Sequence, residues 1–231
     1  DALTHDPRNR RAMILLERTL FAEQRWDELA EALGRFANEA TVKDEKLAAF
    51  TRLARIQMRK LGETDRAITT YEKILDFAPN HPAATRVLVD RFTQAEQWDH
   101  LVALYEGQIG ASGGRADPGT YLQVAMLNWR MRNKPDAAEP FFEKFRRHEP
   151  GNAAVLDFFR EWCVKTGDQT RLVAILSDAQ RTMPDGPDRA AIAGEIAQLA
   201  EIGENAQKAI EQWRNLLRQQ PDNYEAREAL K

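Results

Sequence analysis

The chain has 231 residues, 43% hydrophobic and 30% charged, with a formal net charge of −3. That is enough apolar material for a packed core and excludes a disordered chain, while no run approaches the roughly 18 uninterrupted apolar residues of a membrane span, so no membrane insertion is expected. The charges are evenly mixed, 17 basic and 18 acidic side chains in residues 1–115 against 16 and 18 in residues 116–231. No nucleic-acid partner is therefore expected, because nucleic-acid binders concentrate positive charge against phosphate.

Amphipathic stretches alternate along the whole chain in two kinds. The first kind falls at about 9–22, 43–60, 81–95, 118–132, 152–165 and 187–202. The second kind comes after each of these, beyond a short turn. Two of its members, AEQRWDELAEAL (22–33) and QAEQWDHLVALY (94–105), superpose with Trp26 on Trp98, Asp27 on Asp99 and Leu29 on Leu101. Four others end in proline: GETDRAITTYEKILDFAP (62–79), NKPDAAEPFFEKFRRHEP (133–150), GDQTRLVAILSDAQRTMP (167–184) and ENAQKAIEQWRNLLRQQP (204–221). Each of these four carries apolar or small residues at i, i+4 and i+7, namely Ala67/Tyr71/Ile74, Ala138/Phe142/Phe145, Leu172/Leu176/Ala179 and Ala209/Trp213/Leu216. That spacing puts all three on one helical face, and the proline stops the helix.

Proline intervals set the period. Pro7 to Pro79 is 72 residues, Pro79 to Pro150 is 71, Pro150 to Pro184 is 34 and Pro184 to Pro221 is 37. Two doubled and two single intervals define a unit of helix, turn, helix some 34–38 residues long, within the range of solenoid repeats. The expected repeats are 9–40, 43–79, 80–114, 115–150, 151–184 and 185–221, with a partial one at 222–231. Residues 107–119 hold five glycines and are expected to form a flexible surface insertion, after which Asp117 caps a helix with Pro118 at its first position. Pro140 lies inside a second helix and is expected to kink it rather than end it. His5-Asp6-Pro7 reads as the tail of a preceding repeat, so the chain is expected to be part of a longer array.

No catalytic constellation is present: HExxH, a Walker glycine–lysine loop and GxSxG are all missing. The histidines His5, His81, His100 and His148 are scattered, and none has a second histidine three or four residues on, so no metal is expected. Cys163, the one cysteine, excludes an internal disulfide and fits a buried packing role and a reducing, cytoplasmic compartment. Carboxylate pairs such as Glu28/Glu31 and Asp44/Glu45 read as solvated helix faces, and the five tryptophans as packing residues. The expectation is a protein without catalytic residues, metal or cofactor. Arginine outnumbers lysine 24 to 9, which fits a GC-rich bacterial source.

The second-helix pattern Ala67-x3-Tyr71…Pro79, Ala138-x3-Phe142…Pro150 and Ala209-x3-Trp213…Pro221 resembles the tetratricopeptide repeat family. The resemblance spans nearly the whole chain but is divergent. Where the family has a leucine and a small residue in the first helix, this chain has Ala54/Arg55, Leu88/Val89, Ala125/Met126, Phe159/Arg160 and Ile196/Ala197. The resemblance implies an all-α fold, a right-handed α-solenoid of about six stacked antiparallel hairpins forming one domain over residues 1–231.

It further implies a protein–protein interaction scaffold whose first helices line a concave groove for a peptide or helix of a partner protein. In that register the groove residues are Arg52, Arg59, Arg86, Asp90, Gln123, Leu127, Arg130, Asp157, Glu161, Gln198 and Glu201. The order runs from arginines to acids and would suit a ligand of opposite polarity. The family's lysine/asparagine clamp for a terminal carboxylate is replaced by Arg52, Ile56, Val87, Thr120 and Val124, so that mode is not expected. A regulatory array attached to an enzyme and an RNA-binding helical repeat are the alternatives, the latter disfavoured by a pI near 5.9. Weakly capped ends leave room for a homodimer by stacking on a second copy.

Overall fold

Alternating polar and apolar faces with strong stop signals dictate short helices, and the computed structural model, which describes residues 9–203 and 206–231, contains thirteen of them and no strand among those residues. Pro7 and the segment His5-Asp6-Pro7 lie outside the described residues, as do Glu204 and Asn205 at the start of the last proline-ended segment. Two compact units make up the chain, with the division between Arg115 and Ala116.

In the first unit α1 spans Arg10–Ala22, α2 Trp26–Glu39, α3 Lys43–Ile56, α4 Thr64–Phe77, α5 Pro82–Gln94 and α6 Trp98–Ala111. Helix α3 runs on as one wide π turn over Gln57–Leu61. In the second unit α7 spans Pro118–Met126 and likewise widens into a π turn at Leu127–Met131; α8 spans Pro135–Phe145, α9 Ala153–Thr166, α10 Gln169–Thr182, α11 Pro187–Ile202, α12 Ala206–Gln219 and α13 Tyr224–Ala229. Within each unit every helix packs on the next, so each unit is a stack of antiparallel hairpins of the α-solenoid kind. Odd-numbered helices are the first members of their hairpins and even-numbered ones the second.

Local chemistry explains the boundaries. Asn9, His81, Asp117, Asn152, Asp168 and Asn223 each accept a first-turn backbone N–H through their side chains, satisfying a donor that a helix start leaves orphaned. Proline stands at the first position of α5, α7, α8 and α11, where its missing N–H costs nothing. The turn from first to second helix needs one left-handed residue. It is Gln24 (φ 57°), Gly62 (70°), Glu96 (53°), Asn133 (51°) and Gly167 (72°) in successive hairpins.

All four triplets face inward, from Ala67, Ala138, Phe142, Ile74, Leu176 and Ala179 at 0% exposure to Tyr71 at 5%. The leading position alternates in size along the chain: Leu29, Ala67, Leu101, Ala138, Leu172, Ala209, each no more than 4% exposed. Hairpins led by alanine, α3–α4, α7–α8 and α11–α12, pack their two helices more closely than those led by leucine.

Three sequence expectations are refined. Helix α6 runs to Ala111 and includes Gly107 and Gly110, so the glycine-rich stretch is a short connection over 112–117 rather than an insertion from 107. Asp117 caps α7 as expected, its Oδ1 accepting from Gly119 N at 2.8 Å. Helix α8 continues through Pro140. Arg55 and Arg160 do not disturb packing. Arg55 is exposed, with Ala54 taking the buried position beside it, and Arg160 reaches sideways to Glu195 at 2.7 Å while Phe159 fills the core.

The second unit is centred on aromatic rings. Phe142 stacks on Phe158 at 4.3 Å, and Trp129, Phe159 and Trp162 lie 5.4, 5.1 and 5.9 Å from Phe158. Phe158→Ala is expected to cost about 3–5 kcal/mol, the range for a fully buried ring. Gly167→Ala is expected to cost about 1 kcal/mol through backbone strain alone, since a Cβ there would meet nothing within 4 Å. Urea unfolding of each variant measures both.

Candidate functional site

The expected groove residues all lie on first helices or on the π turns that extend them, exposed in every case but Leu127, which is half-buried. Their electrostatic situation differs between the units. In the first, Arg52 on α3 donates to Glu17 of α1 at 2.6 Å. Arg59, Arg86 and Asp90 stand exposed on the α3 extension and α5 with no ion pair or side-chain hydrogen bond among the described residues.

In the second unit the corresponding charges are tied from one first helix to the next. Trp129 Nε1 donates to Glu161 Oε2 at 3.1 Å, and the Arg130 guanidinium lies 3.3 Å from the Trp129 ring centroid and 3.4 Å from Glu161. Asp157 pairs with Arg160 at 3.0 Å, which reaches on to Glu195 at 2.7 Å. Gln198 donates to Glu225 of α13 at 2.7 Å, and Glu201 accepts from Trp213 Nε1 at 2.5 Å. Gln123 is exposed. Of the five carboxylate-clamp positions, Ile56 and Val124 are buried at 8% and 0% exposure and cannot reach a ligand.

The second helices carry features that periodicity alone did not reveal. On the second unit, Arg171 of α10 bonds Glu139 and, at 3.4 Å, Glu143 of α8, while Arg146 bonds Glu143 at 2.5 Å and Asp178 at 3.2 Å. The Arg146 bond holds the Glu143 carboxyl below the usual carboxylate range. Clefts also open between successive second helices. One of about 690 Å³ lies between α2 and α4 over α3, one of about 470 Å³ between α4 and α6 over Leu88 and Phe92, and one of about 520 Å³ between α10 and α12. The signal that could have found them is the run of small residues, such as Ala30 and Gly34, on the outward stripe of a second helix.

His81 caps α5 through Nδ1, and His100 lies 5.0 Å from the Phe92 ring. Cys163 is 1% exposed and burial pushes its thiol up, the opposite of an activated nucleophile. Among the described residues no group of three or more His, Cys, Asp or Glu is placed to share a metal ion. No described helix is long and apolar enough to cross a membrane.

Stacked hairpins with buried Ala67, Tyr71 and Ile74 ahead of Pro79 define a helical-repeat fold. Residues 48–81 match the family model of the tetratricopeptide repeat. No curated protein sequence matches it. Among solved structures it is similar to YrrB, described as a TPR protein with an unusual peptide-binding site, at 17% identity over 87% of this chain and 98% of that one, TM-score 0.43. It is also similar to the C-terminal part of a TPR repeat-containing protein from Cytophaga hutchinsonii, at 18% identity over 93% and 85%, TM-score 0.42. Pseudomonas aeruginosa PilF is similar at 15% identity over 95% of each chain, TM-score 0.40. At these identities and scores none of them lends a residue role to this chain.

Because the folded-state pKa of Glu143 is depressed, its stabilising contribution is present above the unfolded carboxylate value of about 4.3 and is lost as pH falls through the folded value. The urea midpoint of Glu143→Gln is therefore expected to lie below wild type at neutral pH, and the gap to close in strongly acidic buffer.

Proposed function

We propose that the chain is a non-enzymatic scaffold that holds an extended segment or helix of a partner protein along the exposed faces of its first helices. The observation that carries this reading is the contrast between charges. Arg59, Arg86 and Asp90 stand on rigid helices with no intramolecular partner among the described residues, whereas Arg130, Asp157 and Glu161 are already satisfied. A free charge on an ordered backbone is available to a ligand without first breaking an ion pair, and its effect is chiefly on specificity and association rate.

In this reading the second-unit residues Arg130, Asp157, Glu161, Gln198 and Glu201 form a preorganised polar surface, with Gln123 and Leu127 beside them. The bonds that hold the first five restrict rotamers that binding would otherwise have to order. The two units act as consecutive stretches of one repeat array, since the proline interval from Pro79 to Pro150 spans their junction at 71 residues, two ordinary units. Binding needs no cofactor, metal or nucleic acid.

Affinity capture from lysate of the native host, followed by titration of the captured partner, tests this. Arg59→Glu/Arg86→Glu is expected to weaken partner binding at least tenfold, about 1.4 kcal/mol, with an unchanged circular dichroism spectrum. Arg52 is left intact because reversing it would break the tie to Glu17. Undiminished binding by the double variant would overturn the assignment of this face.

A further inference from the structure

The cleft between α2 and α4 is built differently from a simple packing defect. As second helices of successive hairpins, α2 and α4 run in the same direction, and α3 forms the floor beneath them. Three side-chain stripes at helical spacing face the space: Asp27, Glu31 and Arg35 on α2, Asp65, Thr69 and Lys73 on α4, and Phe50, Leu53 and Gln57 on α3. Ala30 and Gly34 leave the middle of the α2 wall bare. A Cβ at Gly34 would make only an ordinary 3.7 Å contact with Leu53, so the gap does not result from crowding.

Charge is sorted along this cleft. Asp27 and Asp65 lie at the end where both helices begin and Lys73 lies towards the other, while Arg35 pairs with Glu31 at 3.7 Å between them and Arg66, beside Asp65, pairs with Glu63 at 2.9 Å. Asp27 to Arg35 and Asp65 to Lys73 are both eight residues, or about 12 Å of helix rise. An extended chain covers that distance in about three to four residues. The volume of about 690 Å³ lies within the range of binding sites.

The floor supplies a directional group. Gln57 opens the π turn and is 8% exposed; its amide lies 2.7 Å from Thr70 Oγ1, whose single hydrogen also has Arg66 O at 2.8 Å. That contact uses one end of the amide and leaves the other end without a described protein partner. At the other π turn the comparable amide is fully used, Asn128 donating to Val124 O at 3.0 Å and accepting from Arg132 at 2.5 Å. Gln57 thus keeps one polar end of its amide for backbone brought in from outside, between an apolar floor and two charged ends.

We propose that this cleft is a second docking slot, on the second-helix side of the first unit, for an extended peptide segment. The segment carries a basic residue and, three to four positions away, an acidic one, with an apolar side chain between them. The basic residue meets Asp27 and Asp65; the acidic one meets Lys73; the intervening backbone bonds the remaining end of the Gln57 amide, and the apolar side chain rests on Phe50 and Leu53.

The probe is a random dodecapeptide phage library panned against the whole chain, with enriched peptides titrated by fluorescence anisotropy. Enrichment of the basic–apolar–acidic pattern is expected. Gly34→Leu fills the slot with a better helix former and is expected to weaken those peptides at least tenfold at unchanged helicity. Asp27→Lys/Asp65→Lys is expected to do the same, while Arg59→Glu/Arg86→Glu, on the first-helix face, leaves their affinity within twofold of wild type. Enriched peptides that bind Gly34→Leu as tightly as wild type, or a library that yields no enriched peptide, overturn the slot without touching the first-helix reading.

Discussion

The size of one side chain, at the leading inward position of each second helix, governs how closely a hairpin can shut. Where it is alanine, as at Ala67, Ala138 and Ala209, the second helix lies close on the first; where it is leucine, as at Leu29, Leu101 and Leu172, the two stand further apart. The alternation makes the true structural period two hairpins rather than one. Two of the three alanine-led hairpins, α3–α4 and α7–α8, also carry a π turn at the end of the first helix. One extra residue in the turn re-aims the chain beyond it, and it does so where the second helix already presses close.

Stacking then depends on a second class of contact. Within a hairpin the contacts are chiefly apolar, with Gln57–Thr70 and Glu201–Trp213 as polar additions; between hairpins, many are ionic or hydrogen-bonded and reach the same kind of helix one repeat on. Arg52 to Glu17 and Arg160 to Glu195 both span 35 residues, and Arg171 to Glu139, Arg146 to Asp178 and Gln180 to Gln212 all span 32. Most of these groups are partly exposed, so each pair contributes modestly to stability. Their larger effect is to set the register of one hairpin on the next, and, by consuming charge, to decide which residues remain open to a partner.

The helices themselves were readable in advance because their signals are local: proline after a second helix, a capping residue before a first, and the i, i+4, i+7 face between. The first-helix positions were placed within a residue or two for the same reason. The glycine-rich stretch misled because Gly107 and Gly110 sit on a helix whose other residues, Leu101, Val102, Leu104 and Ile109, bury enough apolar surface to override two poor helix formers. Which charges were paired was not legible at all, since partners such as Trp129 and Glu161 meet only after the chain has doubled back once. The clefts escaped notice for a related reason: a space between α2 and α4 is a property of two helices nearly forty residues apart, and no single window contains it.

The left-handed residue in the first-to-second turns of the first five hairpins lets the chain reverse within two or three positions, and every described tie comes within one repeat of it. Nothing has to wait for a distant segment to be made. Low contact order of this kind gives fast folding, and hairpins can form one after another as the chain leaves the ribosome, each docking on the last. Gln24, Glu96 and Asn133 occupy that turn without glycine's freedom, so each of those reversals carries a backbone cost that the packing of its own hairpin must offset.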